Sequence, residues 1–274
     1  MRIFFKESSV ISEISNQINK YKNDTYIMSM GTADALYVAS DFPFNHFFVK
    51  MGPVKNAINT SLNIQYWGGS DWEDVVHIND YTNAFSNSGF IEFTPDRNES
   101  WGREDTNGVG QSILGLESIT VYDKYWIKIV PDLTLTNSIE LEWIGNKFSD
   151  DYDLYSEFPI FNDSTFLTSF ESGKTTWEEQ HVKAAEIIIQ DLKRKNVIVG
   201  KEQILEREVL LAASVSKVAE IIFNAFGKDY VDQLSRASNE YDKRMDLPNY
   251  VTDINNNAIP DVIDKAMTQG WLSR

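Results

Sequence analysis

The sequence predicts an α+β chain of two domains, an antiparallel β-sandwich followed by an α-helical bundle. Two observations predict it. From about Thr25 to Phe148 apolar residues alternate at period two, and from Thr175 to Met245 they recur at three- and four-residue steps. A composition shift over Ser149–Ser164, acidic at Asp150-Asp151-Tyr152-Asp153 and then Phe158-Pro159, separates the two patterns. The expected organisation is an N-terminal arm or helix (1–24), a sandwich (25–148), a linker (149–164), a helical domain (165–247) and a tail (248–274). A chain of 274 residues is long for one domain and comfortable for two.

At the N-terminus, Ile3-Phe4-Phe5 reads as a short strand. Ser9 reads as a helix cap, because Ile11, Ile14, Ile18 and Tyr21 then share one face. Seven strands are expected next, over 35–39, 46–50, 62–67, 73–78, 90–93, 125–129 and 139–144, rich in β-branched and aromatic residues. Gly68-Gly69-Ser70-Asp71 between Trp67 and Trp72 marks a hairpin turn, since glycine takes positive φ freely. Short strands at this spacing predict a sandwich of seven or eight strands. The long stretch Thr94–Ser118 reads as a loop that carries surface function or a subunit contact.

Three amphipathic helices follow, over about Thr176–Lys195, Glu208–Phe226 and Asp229–Met245. Thr176 with Glu179 forms the pattern of a capping box. Trp177, Ala184, Ala185, Ile188 and Leu192 form the first stripe, and Leu211, Val215, Val218, Ile222 and Phe226 the second. Gly227 suits the end of the second helix, and Pro248 forbids continuation of the third. Val209, Leu210, Ala213, Ile221 and Phe223 are apolar off the second helix's main stripe, which predicts a second face for a neighbour. The expected subunit-interface residues are Trp177, Ile188, Leu210, Ile221, Phe223, Tyr230 and Tyr241.

The net charge of −16 is uneven: residues 1–164 hold 24 acidic and 11 basic side chains. An acidic surface repels phosphates, which argues against sequence-reading nucleic-acid binding but not against enclosing DNA without gripping it. No run of about 18 apolar residues marks a membrane span. The first six residues are too soon interrupted by charge to form a signal peptide. The absence of cysteine removes disulfides and thiolate metal sites, and fits a reducing cytoplasm.

The sharpest local motif is a calcium-type loop. Asp253, Asn255, Asn257, Asp261 and Asp264 place oxygens at positions 1, 3, 5, 9 and 12, and the Ile259 carbonyl supplies position 7. It resembles the EF-hand loop and more closely the dockerin type, with Ala258 in place of the turn glycine and Pro260 in place of a hydrophobic residue. The competing reading is an Asn/Asp-rich turn that caps a short helix near Pro260. Any ion would fix the tail; no cofactor is required. Gly173-Lys174-Thr175 lacks the upstream glycine of a phosphate loop and reads as a helix entry. His46, His77 and His181 make no ligand pair and read as structural or surface residues. Trp72 and Trp101, in or beside turns, are the candidates for glycan or surface contact, while Trp67, Trp126 and Trp143 read as packing. No nucleophile elbow is present, and the chain reads as a non-enzyme.

The segment 170–180, the helices over 184–195 and 210–223, and the register Asp229-Tyr230-Val231-Asp232-Gln233 to Glu240-Tyr241-Asp242-Lys243-Arg244 resemble the helical head–tail connector (adaptor) proteins of tailed bacteriophages. The front half, through 64–72, 89–95 and 125–129, is similar to a β-sandwich segment of phage structural proteins. The resemblance implies an adaptor-type bundle in a homo-oligomeric ring of roughly twelve copies beneath the portal. It further implies portal and tail or neck proteins as partners, genomic DNA enclosed without sequence reading, no membrane, and no catalytic residues. The virion head–tail junction is then the expected location, after synthesis in the host cytoplasm. The alternative is a tail or baseplate protein whose sandwich decorates the particle or binds host glycan; a sandwich-bearing glycan hydrolase stands behind both.

Overall fold

The computed structural model describes residues 1–22, 24–96, 101–103, 113, 115–116, 119–246, 252–253 and 255–260. It is α+β, with two antiparallel sheets followed by a helical region. The chain divides into two units, Met1–Gly145 with Asn255–Ile259 and Asn146–Ile254 with Pro260–Arg274.

Among the described residues eleven strands build the first unit: β1 (Arg2–Glu7), β2 (Val10–Glu13), β3 (Tyr26–Met28), β4 (Ala35–Ser40), β5 (His46–Met51), β6 (Leu62–Trp67), β7 (Trp72–Asp74), β8 (His77–Asp80), β9 (Gly89–Thr94), β10 (Tyr125–Pro131) and β11 (Ile139–Gly145). One sheet has the order β2-β1-β4-β10-β6-β7 and the other β3-β11-β5-β9-β8. The number exceeds the expected seven or eight because short edge strands carry too few residues to show a period. The N-terminal arm or helix is corrected too. Ser8 takes φ 56° and turns the chain back, so β1 and β2 form a hairpin and only Ser15–Ile18 (α1) is helical. Within its sheet β1 is an interior strand between β2 and β4.

The expected strand 73–78 is in fact two strands in different sheets. Val75 N–H donates to Ile64 O and Val76 N–H to Thr94 O, so the chain crosses from one sheet to the other between them. The Gly68-Gly69 turn forms as expected, with Trp67 opposite Trp72 and Gly69 at φ 99°.

Ile3, Phe5, Leu36, Val38, Ile64, Ile127 and Ile129 of the first sheet meet Phe47, Val49, Ile91, Phe93, Leu141 and Ile144 of the second in one core. Between Leu141 and Trp143 the pairing of β11 with β5 shifts register. This irregularity lets both Leu141 and Ile144 join the core, whereas Trp143 packs on Tyr21 and Phe48. The first sheet is apolar on its other face as well: Phe4, Tyr37, Trp67, Trp72 and Trp126 are buried beneath Ile113, Leu116 and Val121. The described part of the long loop therefore works as a cover for the sheet, which is why so many strand aromatics are present.

The second unit contains α2 (Asp151–Glu157), α3 (Ser164–Phe170), α4 (Glu178–Arg194), α5 (Leu211–Phe226) and α6 (Val231–Met245). The stretch 149–164, expected as a linker, holds α2 and a 3-10 turn whose Leu154 and Phe161 are core residues. The Asp150 carboxylate accepts from the N–H groups of Tyr152 and Asp153 while Asp153 accepts from Asp150 N–H, a reciprocal cap that starts α2. The helical run 207–245 includes a stretch apolar enough to match a membrane span by composition, and 56% of that stretch is buried inside the chain, as in a core helix.

Candidate functional site

The groups with the most chemistry in the described residues meet inside the helical unit. His181 lies on the α4 stripe that carries Trp177, Ala184 and Ala185, and is 0% exposed. Its Nδ1 is 2.7 Å from Ser149 Oγ, which is itself 2.7 Å from Ser214 Oγ on α5. Its Nε2 faces Asp151 Oδ1 at 3.2 Å, an electrostatic contact whose angle falls short of an aligned hydrogen bond. Asp151 also accepts from Thr176 Oγ1 at 2.5 Å and from Trp177 N–H at 3.1 Å. The carboxylate thus satisfies the backbone ahead of α4. Thr176 Oγ1, expected to cap this helix, accepts from Glu178 N–H at 3.2 Å, and the contact from α2 adds a bond to Trp177 N–H.

With the Nε2–H tautomer, Ser149 O–H donates to Nδ1 and Ser214 O–H to Ser149, while Nε2–H faces the carboxylate without an aligned bond. Burial pushes the Asp151 carboxyl up, yet His181, Thr176 and the Trp177 N–H together outweigh it and hold the group below its ordinary value. Burial and the nearby Asp151 push Tyr155 up to about 12. The residue types are those of a hydrolytic triad, but a nucleophile must reach its substrate. Ser149 is 2% exposed and Ser214 0%, so in this conformation the relay joins α2, α4 and α5 and offers no open face to a substrate. The burial of His181 is legible from its place on the α4 stripe; Ser149, Asp151 and Ser214 are not, because they come from other segments.

Of the expected interface residues, Trp177, Ile188, Leu210, Phe223 and Tyr241 are buried in the chain's own helical core. Trp177 Nε1–H donates to Phe161 O at 2.9 Å, and its ring meets Phe161, Phe166 and Phe170. Tyr241 donates to Asp191 Oδ2 at 2.5 Å beneath the Lys217 ammonium, 3.7 Å from the ring centre. Those five are corrected to core residues, since a side chain fully packed against its own unit has no area left for a neighbour. Only Ile221 and Tyr230 keep partial exposure.

The glycan candidates are corrected in the same way. Trp72 is buried against Trp67 and Tyr37 with Lys128 over its ring. Trp101 is half-buried among Phe44, Tyr66, Phe93 and Tyr125. Beside it, Gly102 N–H donates to Trp67 O, and a Cβ at Gly102 would fall 2.4 Å from Gly69 N, so only glycine fits. In the calcium-type loop, Asp253 is fully buried, Asn257 Oδ1 accepts from Ile259 N–H, and Ala258 takes φ 57°. Asp253 falls in the helical unit and Asn255–Ile259 in the sandwich unit, while Asp261 and Asp264 lie outside the described residues. Among the described residues no group of three or more metal-ligating His, Cys, Asp or Glu side chains converges.

The architecture defines an α+β chain of two antiparallel sheets and a helical unit. No family model, curated protein or solved structure matches the chain.

Proposed function

We propose that the chain is a structural virion protein of a tailed phage, a ring-forming head–tail connector of adaptor type that joins portal to tail and encloses the DNA channel. The observation that carries the reading is the helical unit itself. The imidazole and hydroxyls of its polar relay are buried, while apolar Tyr152, Ile160, Val199 and Val231 are left on the outside. A structural subunit needs a self-sufficient core plus outward apolar area for its neighbours. The acidic balance of the chain suits a lumen through which DNA slides without capture.

Mass photometry of the purified chain tests the proposal, with ring-sized oligomers as the expected result. A chain that stays monomeric and also fails to join any phage particle would sink it. The tail or baseplate reading stays second. Its glycan-binding form is disfavoured by the packing of Trp72 and Trp101, whose rings are engaged by their own sheets.

A further inference from the structure

We infer that copies of this chain associate head to tail through two oppositely charged faces at the two ends of α4. The inference rests on the ring reading and names the surfaces that would make the ring.

Residues 150–157 hold four carboxylates (Asp150, Asp151, Asp153 and Glu157) and no basic residue. In their midst Tyr152 is 81% exposed. Residues 193–195 hold three exposed cations (Lys193, Arg194 and Lys195), Lys201 being drawn in beside Glu202, and past them Val199 is 74% exposed. These are the two most exposed large apolar side chains described in the helical unit. Their positions follow from the bonds on either side. Asp151 accepts from Trp177 N–H, so α2 begins at the N-terminal end of α4. Lys193 and Arg194 lie in the last turn of α4, and Val199 follows the reversal made by Asn196 at φ 53°. A 17-residue helix separates the two faces by roughly 25 Å.

Partial compensation exists within the chain. Asp151 faces His181 and Glu157 pairs with Arg244, while Arg194 pairs with Asp191 and Lys195 with Asp246. Asp150, Tyr152 and Lys193 still point into solvent. Two unlike patches on one body complement each other in a heterologous contact that repeats from copy to copy, or reciprocally across a two-fold axis; the ring reading selects the first. An acidic face with an aromatic residue against a basic face with an aliphatic one gives both register and steering, and the steering weakens as salt rises.

The chain has no cysteine, so one can be introduced at each face without background. Tyr152→Cys and Val199→Cys proteins, both altered only at exposed positions, are mixed in equal amounts and oxidised gently. Within one chain the two sites lie too far apart for a disulfide. The expected result is a mixed disulfide several-fold more abundant than either homodimer and suppressed at about 1 M salt, with a ladder of linked copies from the double variant. Homodimers as abundant as the mixed species, no disulfide above monomer, or a double variant that stops at a doubly linked dimer would overturn the inference. Oligomers by mass photometry without the 152–199 bond overturn it and leave the ring reading standing. A ladder that never closes supports the two faces and counts against the ring.

Discussion

Ser149 Oγ lies 2.7 Å from Nδ1 of His181, which ties the residue ahead of the α2 cap to the first turn of α4. Because Asp151 faces the other ring nitrogen and Ser214 extends the chain to α5, one imidazole holds three helices in register. Replacing it with an apolar side chain leaves the buried Ser149 hydroxyl with Ser214 alone and removes one of the groups that hold the Asp151 carboxylate. His181→Leu is therefore expected to cost about 2–4 kcal/mol of helical-unit stability, read by urea unfolding. Ser149→Ala and Ser214→Ala should each cost about 1 kcal/mol, and together less than their sum, because each removes a partner of the other. Strict additivity would mean that the two hydroxyls are not coupled.

The depressed Asp151 carboxyl sets an acid limit on the same unit. A group whose folded pKa lies below its unfolded value adds stability above the unfolded pKa, near 4 for aspartate, and loses it as pH falls through the folded value. Melting followed between about pH 6 and pH 2 should show a falling midpoint below about pH 4. Asp151→Asn should lower the midpoint at neutral pH and flatten this acid slope. An unchanged slope in the variant would assign the acid sensitivity to other carboxylates.

Trp177 separates a core role from an interface role. Its indole is fully buried and donates to Phe161 O. Trp177→Phe should cost about 1–3 kcal/mol, chiefly from the stranded carbonyl, and Trp177→Ala about 3–5 kcal/mol. Denaturation midpoints check the magnitudes. Oligomer mass, measured where the Phe variant is folded, should not change; loss of assembly in a stable variant would return Trp177 to the interface.

In the sandwich unit Asn83, Ala84 and Phe85 hold three successive left-handed φ values of 50°, 51° and 64°. Left-handed turns of non-glycine residues cost energy that surrounding bonds must offset. The Asp80 carboxylate does so, accepting from Thr82 N–H at 2.9 Å, Thr82 Oγ1 at 2.5 Å and Ala84 N–H at 2.7 Å. Asp80→Ala should thus destabilise the sandwich by about 2–3 kcal/mol in equilibrium unfolding. A loss of under about 0.5 kcal/mol would show that burial of Ala84 and Phe85 alone holds the turn.

What the sequence disclosed depended on whether a pattern was local. The long strands over 35–40, 46–51, 62–67, 125–131 and 139–145 carry enough alternation to be read directly, and so do the stripes of α4 and α5. The crossing at Val75-Val76 was hidden because period two continues through a sandwich corner, where the chain changes sheets without changing rhythm. The β1–β2 hairpin was hidden because Ile11, Ile14 and Ile18 also fit a helical step. At the site, His181 could be placed on a buried face, but Ser149 and Asp151, which meet its ring, come from another segment, and Ser214 joins only through Ser149. The interface residues went astray for a related reason: apolar side chains off a main stripe look the same whether they meet another helix of the chain or another chain.

The first sheet's second apolar layer makes the described part of the long loop part of the structure, not an ornament on it. With Phe4, Tyr37, Trp67, Trp72 and Trp126 beneath Ile113, Leu116 and Val121, a protease cut or a deletion there would uncover a wall of rings. A trimmed sandwich would then come out of solution while its eleven strands were still intact.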